Sequence, residues 1–255
     1  MFMRFVNLKV KPDSAGAFER FYALRLAPAL LEEPGCIFVR LIQSDSTPND
    51  FLSFSLWANP AAAEAYESSG HFAALVEENE PFLEDSSEWK IQLSDDNTLE
   101  YKPVKEQPTV QAMSVLAGTD ETDLTDEIGS DMYVRILSAK INSEKFDEIQ
   151  ALYDEKVTPT LLALDGCHGA YLIGSEGSED ILSITIWESK SNAEFYEASG
   201  TFEELIELTR PYMSSLYQWK MSLDSDKQSS IKTSEDLSVK GYHIVTGEQL
   251  VESSN

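Results

Sequence analysis

The chain has 255 residues, enough for one large domain or two small ones with a real buried core. Forty-five acidic residues against 19 basic ones give a formal charge of −26. A surface this negative repels phosphate backbones and anionic lipid, which argues against nucleic-acid and membrane-surface binding and reads as a solvation feature, with docking to a basic partner as the sharper alternative. No apolar run approaches the roughly 20 residues of a membrane span. The N-terminus, MFMRFVNLKVKPD, alternates like a strand and lacks a signal peptide's apolar core, so a cytoplasmic protein is expected.

In chain order, residues 3–10 alternate as a strand, and residues 14–32 carry Phe18, Phe21, Tyr22 and Leu26 at helical spacing until Pro34-Gly35 stops them. Residues 36–43 and 51–57 read as a β-hairpin. A second helical region follows, broken at Ser69-Gly70 and ending near Pro81, and then a last strand carrying Trp89. Residues 94–131 join this block to the next. Strands are expected there near Leu99 to Val104 and at VQAMSVLA, and the acidic run TDETDLTDE reads as a solvated linker.

From residue 132 the pattern begins again: a strand at 133–141, a helix at 144–164 stopped by Asp165-Gly166, and a hairpin at 167–174 and 181–187. A helical region broken at Ser199-Gly200 and a strand carrying Trp219 complete it, and the polar tail from Ser225 holds a further expected strand at Tyr242 to Thr246. The echo is residue by residue. APALLEEPGCIFVRLI at 27–42 answers TPTLLALDGCHGAYLI at 158–173, and Arg4 falls on Arg135, Tyr22 on Tyr153, Trp57 on Trp187 and Pro81 on Pro211. A single gap, in the hairpin turn, separates the two registers. The chain therefore divides into a repeat at 1–94, a joining segment at 95–131, a second repeat at 132–224 and a tail at 225–255.

Each repeat reads β-α-β-β-α-β, a ferredoxin-like α+β unit with helices over one face of an antiparallel sheet. Leu52, Phe54 and Leu56 (Leu182, Ile184 and Ile186) are expected under the helices. The opposite face, with Phe51, Ser53, Ser55 and Trp57, mixes hydroxyls with a large aromatic. Packing the two copies sheet to sheet would hide it and leave pockets between them. Cys36 and Cys167 hold equivalent places, which suggests a small residue needed where a buried strand starts, rather than a disulfide.

The segments EEPGC and LDGCHG, the strands FLSFSLW and ILSITIWES, and the helix motifs SSGHF and ASGTF resemble the antibiotic biosynthesis monooxygenase superfamily. The resemblance covers both repeats and implies a dimeric α+β barrel imitated within one polypeptide. It also implies the superfamily's range of chemistry: cofactor-free oxygenases, quinol oxygenases, heme-degrading enzymes, isomerases and members without a known reaction. The heme-degrading pattern falls on Phe5 and Ile136, Tyr66 and Tyr196, Val76 and Ile206, which supply no heme-ligating histidine. The polyketide-oxygenase pattern keeps Trp57 and Trp187, but its Asn falls on Ser53 and Ser183 and its Tyr on Ala63 and Ala193. Tyr66 and Tyr196, close to one helical turn further on, are the candidates to substitute.

The catalytic candidates are thus Trp187, Tyr196 and His168, and the substrate-binding candidates are Trp57, Tyr66, Ser183, Tyr171 and Arg40. The indoles would present an apolar wall and an N–H donor, or simply anchor the packing. His168 has Ile37 as its counterpart, and the GCHG of quinol-oxygenase-like relatives makes the second repeat the more competent one. Arg40 and Tyr171 share one strand position and could orient an acidic or phenolic ligand. Arg4 and Arg135 would by default pair with carboxylates. No metal-ligand spacing, dinucleotide fingerprint, P-loop or nucleophile elbow is present.

The expected activity is a cofactor-independent monooxygenase using O2 on a small aromatic or quinol-like molecule, without a metal. A non-catalytic binder of a small hydrophobic ligand is the alternative, with an isomerase third. Further homo-oligomerisation of the pseudo-dimer stays open.

Overall fold

The structure, a computed structural model, describes residues 1–93, 99–105, 109–119, 132–174, 178–215, 218 and 237–249. The first repeat runs β1 (Phe2–Lys9), α1 (Ala15–Phe21), a π-helical turn (Tyr22–Leu26), α2 (Ala27–Leu31), β2 (Cys36–Ser44), β3 (Asp50–Trp57), α3 (Pro60–Ser68) and α4 (His71–Asn79). Next come β4 (Asp85–Leu93), β5 (Leu99–Lys105) and β6 (Thr109–Gly118). The second repeat runs β7 (Tyr133–Lys140), α5 (Phe146–Leu152), a π-helical turn (Tyr153–Val157), α6 (Thr158–Leu162), β8 (Cys167–Gly174), β9 (Asp180–Trp187), α7 (Lys190–Ala198), α8 (Thr201–Thr209) and β10 (Leu237–Gln249).

Local chemistry accounts for these breaks. Pro28 and Pro159 stand at the first or second position of α2 and α6, where each ring would crowd the carbonyl four residues back. The chain widens into a π turn just before each proline and relieves that clash. Gly70 and Gly200, both at φ 87°, make the left-handed break between α3 and α4 and between α7 and α8.

Eight strands close into a barrel in the order β1-β3-β2-β10-β7-β9-β8-β6, with β6 returning to β1. Two strands therefore belong to both halves. Strand β6 pairs with β1 of its own repeat and β8 of the other, and β10 pairs with β7 and β2. The strand carrying Trp89, read from sequence as the last of the first repeat, is instead paired with β5 in a separate two-stranded sheet. The fourth barrel strand is β6. The acidic run 120–127 and Trp219 lie outside the described residues.

The strand faces are the reverse of the sequence expectation. Leu52, Phe54 and Leu56, with Leu182, Ile184 and Ile186, point into the barrel, where both repeats contribute to one core. Phe54 stacks on Phe5 at 5.0 Å there and meets Phe38 edge-on at 5.3 Å. Phe51 and Trp57 lie under the helices of the first repeat, and Ile181 and Trp187 under those of the second. The expected pockets between the copies are thus replaced by a packed interior. Hydroxyls are tolerated on the helix-covered face because tyrosine hydroxyls from the helices reach down to them.

Outside the barrel, Asp45 in the β2–β3 turn ties the repeats together. Its carboxylate accepts hydrogen bonds from Lys190 Nζ at the start of α7 and from Tyr133 Oη at 3.3 Å, and it meets His243 Nε2 at 2.7 Å. Tyr133 lies across β10 where Gly241 leaves room: a Cβ there would come within 1.7 Å of the phenol oxygen.

Gly241→Ala should therefore cost about 1–3 kcal/mol of stability by denaturant unfolding, and Tyr133→Ala in the same chain should restore part of it. The Lys190 hydrogen bond first, with help from His243, holds the Asp45 carboxyl below its ordinary value against the opposing effect of partial burial. A carboxyl depressed on folding adds stability above its unfolded pKa, about 3.9, and loses it as pH falls through the lower folded value. Asp45→Asn should lower the thermal midpoint by roughly 2–4 °C at neutral pH, equivalent to about 1 kcal/mol. Scans taken as pH falls below the unfolded value should find the difference between the two proteins shrinking.

Candidate functional site

Each repeat encloses one cavity between its helices and the outer face of its half-barrel, with a volume of about 40 Å3 in both cases. The walls are built from equivalent positions. Strand one supplies Arg4 or Arg135, the π turn Tyr22 or Tyr153, strand three Ser53 and Ser55 or Ser183 and Thr185, and the second pair of helices Tyr66 and Phe72 or Tyr196 and Phe202. Alternation along β1 and β7 explains the arginines. Met3 and Phe5 flank Arg4 and point into the barrel, which leaves the guanidinium on the helix side.

The aromatic groups form a stacked layer. Trp187 lies face to face with Tyr196 at 5.1 Å, Tyr196 meets Phe202 edge-on at 5.8 Å, and the Arg135 guanidinium sits 4.5 Å from the Phe202 centroid. The first repeat reproduces this with Trp57–Tyr66 at 5.2 Å, Tyr66–Phe72 at 6.0 Å and Arg4–Phe72 at 4.6 Å. Such ring and cation contacts supply attraction that a buried guanidinium loses with its hydration. Arg135 Nε donates to Glu197 Oε1 at 2.6 Å. The corresponding Glu67 stays 3.9 Å from Arg4 Nη2.

Two of the tyrosines reach hydroxyls of strand three. Tyr153 donates to Ser183 Oγ, and the Tyr22 and Ser53 hydroxyls lie 2.7 Å apart. Burial pushes the Tyr153 phenol up to about 12 and raises Tyr22, Tyr66 and Tyr196 above the ordinary phenol range as well. All four stay protonated at neutral pH. Burial also lifts the Cys36 and Cys167 thiols to about 12, and both thiols are free. Among the described residues, no group of three or more histidine, cysteine or acidic side chains is placed to hold a metal ion. None of their helices is long and apolar enough to cross a membrane.

The site residues expected from sequence scatter across this geometry. Tyr66, Tyr196 and Ser183 line the cavities. Trp57 and Trp187 are fully buried behind the tyrosines, and their indole N–H groups are already donated, to Ser55 Oγ at 2.9 Å and Thr185 Oγ1 at 2.8 Å. His168 is exposed and lines neither cavity. Tyr171 belongs to the barrel interior, and Arg40 is buried over the Phe38 ring at 4.6 Å. Sequence reasoning gave Tyr22 and Tyr153 no role at the site. Their signal was the correspondence between repeats, six residues ahead of a shared proline.

The profile of the antibiotic biosynthesis monooxygenase family matches residues 1–78 and again residues 132–208, more than half of the chain. The chain belongs to this family, in tandem. A candidate monooxygenase from Lactobacillus acidophilus shares the fold at a TM-score of 0.63 and 11% identity, covering 96% of this chain and 94% of that one. An anthrone oxidase-like protein does so at 0.57 and 12%, covering 99% and 96%. At such identities the likeness is one of fold. An uncharacterized Synechocystis protein is 33% identical over 85 residues, a match spanning 33% of this chain and 57% of that relative.

Trp187→Phe should remove the donor to Thr185 and part of the stack on Tyr196. The expected loss is about 1–3 kcal/mol in chemical denaturation, with the far-UV spectrum unchanged.

Proposed function

We propose that the protein is a cofactor-independent monooxygenase that oxidises a small aromatic or quinol-like substrate with O2 in the cavity of the second repeat. The observation that carries this reading is the Arg135–Glu197 pair beside an aromatic-walled cavity that also holds the Tyr153–Ser183 hydroxyl pair. A phenolic hydroxyl, or a C–H acidified by a neighbouring ring carbonyl, would give its proton to Glu197 once that carboxylate, which does not line the closed cavity, turned past Arg135 towards the substrate. Arg135 would hold the resulting oxyanion, and Tyr196 would wall the ring. The electron-rich anion then passes one electron to O2, and recombination forms a C–O bond and a hydroperoxide. At a CH2 group, loss of water leaves a ketone, so that CH2 and O2 become C=O and H2O.

The cavity has polar walls of guanidinium and hydroxyl groups, which can hold an oxyanion. At about 40 Å3 it is smaller than the roughly 150 Å3 that admits benzene, far below the size of a flavin or heme. An aromatic ring would need the cavity to widen, for example by movement of the half-buried Phe202 in α8, which lines it. The second reading, a binding protein for a small hydrophobic ligand, is favoured by one observation: no carboxylate or imidazole lines the cavity itself, and Glu197 stands behind the arginine.

Oxygen uptake by metal-stripped protein against a panel of anthrones and hydroquinones separates the two readings. Turnover should fall by about 10²-fold or more in Arg135→Met and stay unchanged in His168→Ala. Binding without oxygen consumption across the panel would leave the binding reading, and a product of unchanged mass would point to an isomerase.

A further inference from the structure

The two cavities differ in whether their polar groups are satisfied. In the second repeat, Arg135 is forked onto Glu197, with Nε and Nη2 each 2.6 Å from one carboxylate oxygen. Thr209, deeper in the same cavity, donates its hydroxyl to the Ile206 carbonyl at 3.0 Å. In the first repeat the counterparts are Arg4 and Asn79. Arg4 is 2% exposed, and its Nε and Nη2 have no hydrogen-bond partner among the described residues. Glu67, the equivalent of Glu197, is at ion-pair distance only, 3.9 Å. Asn79 is 6% exposed; its Nδ2 donates to the Leu75 carbonyl at 2.8 Å, while its Oδ1 is buried and accepts nothing from the described residues.

An orphaned buried donor or acceptor costs about 1–3 kcal/mol, and more where a charge is involved. Here a pair of buried donors and a buried acceptor belong to two residues, Arg4 and Asn79, that line one cavity of about 40 Å3. The second repeat shows what the donors take when they are satisfied: a carboxylate, supplied from within the chain. Burial pulls the Arg4 guanidinium below its ordinary value and Glu67 opposes that, which is the sign of a cation short of a close counter-charge.

We infer that the first repeat is a binding site for a small hydroxylated carboxylate, whose carboxylate is gripped by Arg4 Nε and Nη2 and whose hydroxyl donates to Asn79 Oδ1. The planar fork of arginine matches the two oxygens of a carboxylate side-on. The cavity volume limits the carbon frame to a few atoms, and Phe72 at 4.6 Å from the guanidinium covers it. The two repeats thereby divide roles, one self-neutralised and one open to an external anion. The site does not depend on oxygenase chemistry in the second repeat.

The test uses glycolate and acetate with the intact chain, followed by calorimetry and by the Arg4 Nε–H signal in ¹H–¹⁵N spectra. Glycolate is expected to bind with a Kd of about 1 mM or below, tighter than acetate, and to shift that signal. Arg4→Gln should weaken binding by at least about tenfold, and Arg135→Gln should leave it unchanged. Asn79→Leu, which leaves the buried charge in place, should abolish the preference of glycolate over acetate. If Arg4→Gln fails to fold, the spectral shift and the Asn79 variant still decide. A cavity that holds water alone would show neither heat nor shift, and that result, or equal losses in the Arg4 and Arg135 variants, overturns the inference. Glycolate binding by a protein that consumes no oxygen with the anthrone and hydroquinone panel upholds it while removing the oxygenase reading.

Discussion

Because β6 bonds to β1 on one side and β8 on the other, and β10 to β7 and β2, neither half of the barrel has a free sheet edge. A four-stranded half alone would expose unpaired backbone groups along both outer strands and one entire apolar face. Closure removes the edges and buries the face in a single step. It also makes the two repeats one core, since the barrel interior is built from Phe5, Phe38 and Phe54 of one and Tyr171, Ile173 and Ile184 of the other. The Asp45 cluster, which joins the first repeat's hairpin turn to α7, β7 and β10, adds a polar tie at the rim of that shared core.

Closure also decides where ligand space can exist. The interior is filled by large apolar side chains, and the two cavities described form on the outside, where four short helices per repeat cover a sheet face that carries serine, threonine and arginine. Helix over sheet is a less regular contact than sheet over sheet, and each π turn adds a residue to the circumference of the covering helix. The tyrosine that opens each π turn reaches a strand-three hydroxyl, which gives the polar floor a partner without water.

Duplication supplied two such cavities and divergence has treated their charges differently. Arg135 has its carboxylate at hydrogen-bond distance and Arg4 does not, although Glu67 and Glu197 stand at the same place in α3 and α7. In a chain of formal charge −26, a buried guanidinium is a rare positive centre, and its surroundings set what it attracts. Trp57 and Trp187 sit behind this chemistry, holding Tyr66 and Tyr196 flat against the cavity wall.

The sequence by itself determined the repeat, the β-α-β-β-α order that opens each copy, the hairpin pairing and the helix breaks at Gly70 and Gly200. These rest on local chemistry: periodicity, turn residues and the positive φ that glycine alone tolerates without strain. Family membership was legible for the same reason, because its motifs are short and contiguous. Only the tertiary structure decided which face of each strand meets the helices, because a closed barrel under a helical layer buries both faces. Alternation from apolar to polar then no longer marks the inside. The same holds for β6 and β10 as closing strands, for Tyr22 and Tyr153 meeting Ser53 and Ser183, and for His168 lying outside the cavity: each depends on contacts between residues far apart in the chain, and spacing along the chain does not encode them.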